Sequence, residues 1–471
     1  MNLSITNVFA CAVFVFATGS AIAAAPVLPK GMPPYAEDRA LPVPQIAKKT
    51  LENGLIVWVI PRNAGNPKVD MVLAVRGGQA ADDEKLSGLS SLMAGLLEEG
   101  TRTRSSVRIA EELQSLGATL GASSNLDGIL VKAAGLASNV EPLMRLLADV
   151  ALNAIFPDAE IALAKINALE ALKVEQAEPG YQAAVAMDRV VYGSHPYGQT
   201  HATERSIKAI DRNTLVATHK SRFRPDRALL VISGRLDAAR GFALAEKAFG
   251  AWKATGKPLG DTPKTVSKLP VQRVFVERAD SVQSTVRLGR PAFAAGHDDE
   301  IAAEIANAIA GGDFSSRLSQ VLREEKGYTY GAYSAFDANR VGGSFVAGAD
   351  VRNEVTGSAL GEFQSQFQKL IDTPVDANEL QRFKRMTAGH YLFRNQLQAA
   401  VVMTLANNWL LGRAPEYLGE FIGRTNQVTA EQVQAVAKKY FDPKELSVVV
   451  VGEKSVAEQL KPYGEFSSKA E

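Results

Sequence analysis

Two side chains in the second half of the sequence could assist a reaction but could not start one. Arg323 and Tyr330 lie in the run Phe314-Ser315-Ser316-Arg317-Leu318-Ser319-Gln320-Val321-Leu322-Arg323-Glu324-Glu325-Lys326-Gly327-Tyr328-Thr329-Tyr330-Gly331. An arginine offers a planar fork of N–H donors to a carbonyl or carboxylate. A tyrosine hydroxyl can donate to an oxygen as that oxygen gathers negative charge. Neither group is a nucleophile in these roles. Both also have ordinary structural uses, Arg323 in a surface ion pair with a neighbouring glutamate and Tyr330 as a half-buried strand aromatic. In a regular strand Tyr328 and Tyr330 share a face, so periodicity does not choose between them.

The other notable segment is defined by what it lacks. Gly88 to Glu99 carries helical apolar spacing at Leu89, Leu92, Met93, Leu96 and Leu97. Ser91 and Gly95 are one turn apart and face the same way. Zinc takes imidazole nitrogen, thiolate sulfur or carboxylate oxygen, and a hydrolytic water needs a base such as glutamate. Ser91, Ala94 and Gly95 supply none of these and suit close helix packing. Glu98 and Glu99, one turn later, read as a solvated helix end. The five histidines are His195, His201, His219, His297 and His390, and only His195 and His201 are close in sequence. Gly311-Gly312 is not followed by Lys-Ser/Thr and has no Rossmann spacing, so no nucleotide site is expected.

The elements that must position these residues follow from the chain as a whole. A length of 471 residues exceeds what one hydrophobic core usually serves. The composition is 46% apolar and 22% charged with a formal net charge of +1, ordinary for a globular protein and without a nucleic-acid footprint. Val8 to Ala17 is almost wholly apolar and Ala21-Ile22-Ala23-Ala24 offers a cleavage site, so residues 1–23 read as a signal peptide. The single cysteine, Cys11, falls inside that leader. The expectation is an exported, soluble periplasmic protein with no stable membrane span. Residues 24–47 read as an extended Pro-rich segment, 48–255 as a first domain and 256–270 as a linker. Residues 271–460 read as a second domain and 461–471 as a tail. Phe223-Arg224-Pro225-Asp226-Arg227-Ala228-Leu229 parallels Phe441-Asp442-Pro443-Lys444-Glu445-Leu446-Ser447, and Gly117-Ala118-Thr119-Leu120-Gly121 parallels Gly327-Tyr328-Thr329-Tyr330-Gly331. The same order at similar offsets suggests a duplicated domain.

The run Gly88-Leu89-Ser90-Ser91-Leu92-Met93-Ala94-Gly95-Leu96-Leu97-Glu98-Glu99-Gly100-Thr101 resembles the active-site helix of the M16 peptidases, the pitrilysin and processing-peptidase family of inverzincins. Active members carry H-x-x-E-H between a Gly-Leu start and a Gly-Thr end. In that register the histidines fall on Ser91 and Gly95 and the glutamate on Ala94. The third ligand falls on Ala171, within Leu169-Glu170-Ala171-Leu172, to within about a residue. The resemblance implies an α+β protein of two homologous M16-type domains, each a mostly antiparallel sheet packed with helices. It implies no metal and no cofactor in this chain. It assigns Arg323 and Tyr330 to the second family signature, whose Arg and Tyr reach a zinc centre from the opposite domain. The expected function is a noncatalytic subunit of a heterodimeric zinc metallopeptidase, inactive alone. Its partner would be a zinc-binding M16 subunit with intact H-x-x-E-H, facing it like the other half of a clam shell. The substrate would be a peptide or unfolded protein, and Gly311-Gly312 would give the second-domain helix freedom at the chamber wall. The alternative is a binding or scaffold protein with no role in cleavage, and a homodimer remains open.

Overall fold

The computed structural model describes residues 31, 41, 44–62, 67–255 and 257–468. The expected signal peptide and nearly all of the extended segment before residue 47 lie outside the described residues.

Alternating and continuous apolar runs build eleven described strands. They are β1 (Ala47–Thr50), β2 (Ile56–Pro61), β3 (Lys68–Arg76), β4 (Thr119–Ser124), β5 (Gly128–Leu136), β6 (Ala228–Gly234), β7 (Arg273–Glu277), β8 (Gln283–Ala292), β9 (Thr329–Asn339), β10 (Gly342–Arg352) and β11 (Ser447–Gly452). The first sheet has the order β1-β2-β6-β3-β5-β4 and the second β7-β11-β8-β10-β9. Setting β1 aside, the orders correspond strand for strand. In each, one parallel pair (β2 with β6, β7 with β11) sits in an otherwise antiparallel sheet. The molecule therefore has two α+β domains, each a mixed sheet packed against helices.

The strand β3 reads as a near-continuous apolar run because both its faces are covered. Val69, Met71, Leu73 and Val75 enter one core with the helices Val140–Asn153 and Ala238–Phe249. Val72 and Ala74 enter the other core with Val402 and Leu405 of the helix Gln398–Leu410. That helix belongs by sequence to the second half, yet it packs on β3 and β6 of the first sheet. The helix Pro179–Tyr192 does the reverse and lies against β8 and β11 of the second sheet. Each sheet is thus closed by a helix that the other half of the sequence supplies.

Several elements depart from the sequence reading. Pro179-Gly180 reads as the stop of the preceding helix, but Pro179 opens a new one, since proline fits the first helical turn where its missing N–H costs nothing. The expected helix over Ile207 to Lys220 is two helices, Glu204–Ala209 and Arg212–Arg222, divided where the Asp211 side chain caps the second. The active-site-like helix is shorter than its periodicity implies and ends at Gly95. The segment Gln320–Glu325 is wound as a π-helix.

Candidate functional site

The helix Leu89–Gly95 is fixed from beneath by a buried charge pair. Arg222, 2% exposed, donates from Nη2 to Asp82 Oδ1 at 2.7 Å. The same carboxylate accepts the Ser90 N–H at 3.0 Å and the Ser90 hydroxyl at 2.7 Å, and Arg222 Nη1 also donates to Ser90 Oγ. The first turn of the helix is therefore tied to a loop and to a distant helix at once. This arrangement holds the exposed face of the helix, with Ser91 and Gly95 on it, in one position.

On that face the Ser91 hydroxyl lies 3.1 Å from Ser124 Oγ on β4. Gln79 Nε2 donates to Ser91 Oγ at 3.2 Å and to Ser124 Oγ at 3.2 Å. A Cβ built on Gly95 would meet no atom within 4 Å, so the position is open as well as bare. Ala94 is 2% exposed and packs in the core. Ser91 and Ala171 line one cavity of about 310 Å³, with Gln79, Glu175, Tyr181 and His201 also in its wall. Ala94 and Gly95 are not part of that wall. Two positions far apart in sequence are thus brought to one space, and both carry side chains that cannot bind zinc. The donor set, a hydroxyl and a methyl where imidazole and carboxylate are required, does not fit the metal. Among the described residues there is no group of three or more His, Cys, Asp or Glu placed to hold one.

The two sequence-adjacent histidines are committed separately. His195 accepts the Tyr197 N–H on Nδ1 at 3.1 Å and its Nε2 lies 2.8 Å from the Pro263 carbonyl, which fixes the Nε2-protonated tautomer. His201 Nε2 is 2.7 Å from Asp188 Oδ2, and its ring meets the edge of Tyr181. Glu98 corrects the reading of this helix end as solvated. It is half-buried, and burial, helped by the neighbouring Glu99, pushes its carboxyl up to about 7.

The second-domain residues sit at the edge strand β9. Tyr328 precedes the strand and packs against the core, while Tyr330 is 92% exposed. The ladder between β9 and β10 shifts register between Ala349 and Val351. Thr329 Oγ1 donates to the Asp350 carbonyl and accepts the Gly331 N–H inside this bulge. Tyr328 stands before the strand and Tyr330 falls in the bulge, so strand alternation does not relate the two tyrosines. Arg323 leaves the π-wound segment with its guanidinium over the Phe314 ring at 3.9 Å. Its Nη1 is 3.5 Å from Glu324 Oε1 and has no hydrogen-bond partner. The cavity shared by Ser91 and Ala171 is walled by residues 79–210 only, so neither Arg323 nor Tyr330 enters it. Gln79, Ser124 and Tyr181 escaped the sequence reading, for no motif marks them. Only the fold carries them to this place.

Comparison with known proteins accords with this geometry. Residues 57–200 match the family model described as Insulinase (Peptidase family M16), and residues 209–387 match that described as Peptidase M16 inactive domain. An uncharacterized zinc protease of Bacillus subtilis, YmxG, is 23% identical over 400 residues, covering 84% of this chain and 96% of that protein. A crystal structure from Pseudomonas fluorescens, titled as a peptidase M16 inactive domain, superposes with a TM-score of 0.80 at 24% identity, covering 87% of this chain and 98% of that one. The periplasmic protease PqqL of Escherichia coli superposes with a TM-score of 0.75 at 17% identity, covering 91% of this chain but 49% of its own.

Proposed function

The chain belongs to the M16 peptidase family, and we propose that it is the noncatalytic subunit of a heterodimeric zinc metallopeptidase, supplying Arg323 and Tyr330 to a peptide bound at its partner's active site. The observation that carries this reading is the separation of two half-sites. The cavity of Ser91 and Ala171 holds no group of three zinc ligands among the described residues and is lined by first-domain residues, while Tyr330 stands 92% exposed and its hydroxyl has no hydrogen-bond partner among the described residues. An exposed tyrosine hydroxyl is suited to meet a carbonyl oxygen presented from outside, and Arg323 would contribute through the guanidinium nitrogens other than its buried Nη1. The role of each follows from its chemistry. Arg323 orients a carbonyl or carboxylate of the peptide through its fork, and Tyr330 donates its hydroxyl as charge grows on the reacting oxygen. The metal and the attacking water belong to the partner. That the chain spans half of PqqL supports an assembly in which two such halves face each other. The apolar leader supports export to the periplasm.

The test is co-expression with an exported M16 protein carrying intact H-x-x-E-H, followed by peptide hydrolysis. The isolated chain is expected neither to hydrolyse peptides nor to retain stoichiometric zinc. In the assembled pair, R323A or Y330F is expected to lower kcat/KM by roughly 100-fold while the partner keeps its zinc. Unchanged turnover in both variants overturns the shared site and leaves the chain as a scaffold.

A further inference from the structure

The joint between the two sheets gathers arginines around an enclosed space. Arg76 ends β3, Arg227 stands just before β6, and Arg340 lies in the turn between β9 and β10. Beside them is a cavity of about 40 Å³, walled by Gly78, Asp127, Arg227, Gly260, Asp261 and Arg340 among others. Such a space holds a few waters or one compact ion.

Several of the guanidinium donors have no internal hydrogen-bond partner, although Arg76 Nη2 donates to the Trp409 carbonyl at 3.3 Å. The Arg340 guanidinium makes no hydrogen bond or ion pair among the described residues; only its backbone N–H is used, donating to Asp127 Oδ2 at 3.1 Å. Arg227 donates from Nη1 to the Leu259 carbonyl at 2.7 Å, but its Nε is buried without a partner. Arg76 Nε is buried and unpartnered too, and the group's proton is loosened to about 10 by burial and by the repulsion of Arg340 and Arg227. Two carboxylates also stand in the wall and balance its formal charge, but neither accepts a hydrogen bond from the Arg227 or Arg340 guanidinium. Asp127 is committed to the Tyr197 hydroxyl at 2.6 Å and to the Arg340 N–H. Asp261 has a side chain 85% exposed and reaches only to 4.0 Å of Arg227. The backbone N–H groups of Gly78 and Gly260 in the wall also lack partners among the described residues.

We propose that this cavity binds a small free oxyanion of the phosphate or sulfate type, held by Arg227 and Arg340. Two guanidinium forks and turn N–H groups match a tetrahedral oxyanion better than a spherical halide. The small volume suits a compact ion. A bound ion would join three separate pieces of chain: the connecting segment at Gly260, the first sheet's loop at Gly78 and the second sheet's hairpin at Arg340. Its occupancy would then stiffen the joint between the domains. None of these residues takes part in the proposed peptide contacts, so this site and the shared-site reading fail independently.

The test is titration of the purified chain with sodium phosphate, and separately with sodium sulfate, at constant ionic strength set by chloride. Binding heat and Tm are both followed. The expected result is a saturable heat and a saturable rise in Tm with either oxyanion. R340Q, which leaves the backbone contact to Asp127 in place, is expected to weaken binding roughly tenfold or more. D261N, which removes an exposed competitor for Arg227, is expected to tighten it. No saturable response, an equal response to added chloride, or affinities unchanged in both variants would overturn the site.

Discussion

Each sheet ends in an edge strand at the same topological position, β4 in the first and β9 in the second, and the chemistry beside the two is opposite. Next to β4 the helix Leu89–Gly95 is held rigidly by the Asp82–Arg222 pair, yet its outward face presents only Ser91 and bare Gly95. Next to β9 the backbone is irregular, with a π-wound segment and a bulge, and it presents Tyr330 outward while Arg323 lies partly buried against Phe314. The precise platform carries no zinc ligand at Ser91 or Gly95, and the residues proposed to contact peptide stand on irregular backbone. The buried ion pair holds this helix in place whether or not the helix has a reaction to serve. The platform is therefore expected to serve shape and the second edge to serve chemistry.

The largest effect that could break this contrast is the return of a metal. If the platform is intact, S91H, G95H and A171E combined should retain about one equivalent of zinc through gel filtration, measured by metal analysis. The open space around Gly95 gives the new imidazole room. If A171E fails and L172E in its place succeeds, the third position is shifted by one residue. If both fail, the helix face is not the preserved platform described above.

A second contrast lies in stability. D82A leaves Arg222 buried without its partner and should cost about 3–5 kcal/mol in urea unfolding. R323A, at the exposed edge, should change stability by less than about 0.5 kcal/mol. Similar losses in both variants would erase the distinction between a structural edge and a chemical one.

The smallest effect concerns Glu98. Its folded carboxyl titrates near 7, above the ordinary value of 4.5, so the folded state holds the proton more tightly than the unfolded one. Its contribution is thus favourable below pH 4.5 and is lost as pH rises through 7. With allowance for its partial exposure, E98Q should stabilise the chain by about 1 kcal/mol at pH 8 and by almost nothing at pH 4.5. A pH-independent effect would mean that Glu98 is ionised in the fold.

Much of the scaffold was legible in the residues. The strands β3, β5, β6 and β11 stand out as apolar runs, and the paired motifs that precede β6 and β11, and begin β4 and β9, correspond to equivalent positions in two sheets of the same order. Three features were not legible, each for a physical reason. Asp82 and Arg222 are 140 residues apart, and nothing local marks either as a buried partner. Tyr328 stands before the strand and Tyr330 falls in its bulge, outside the period on which their reading depended. The helices Pro179–Tyr192 and Gln398–Leu410 show their apolar faces in the sequence, but not that those faces belong to the opposite sheet.

That exchange has a consequence for how the chain is made. Residues 56–234 contain nearly all of the first sheet, yet the face formed by Val72, Ala74, Leu229 and Val231 has no cover until Gln398–Leu410 has left the ribosome. For more than a third of its synthesis the nascent protein displays a bare apolar sheet, the condition under which chains aggregate or recruit chaperones. A fragment cut at the apparent domain boundary would inherit that exposed face permanently.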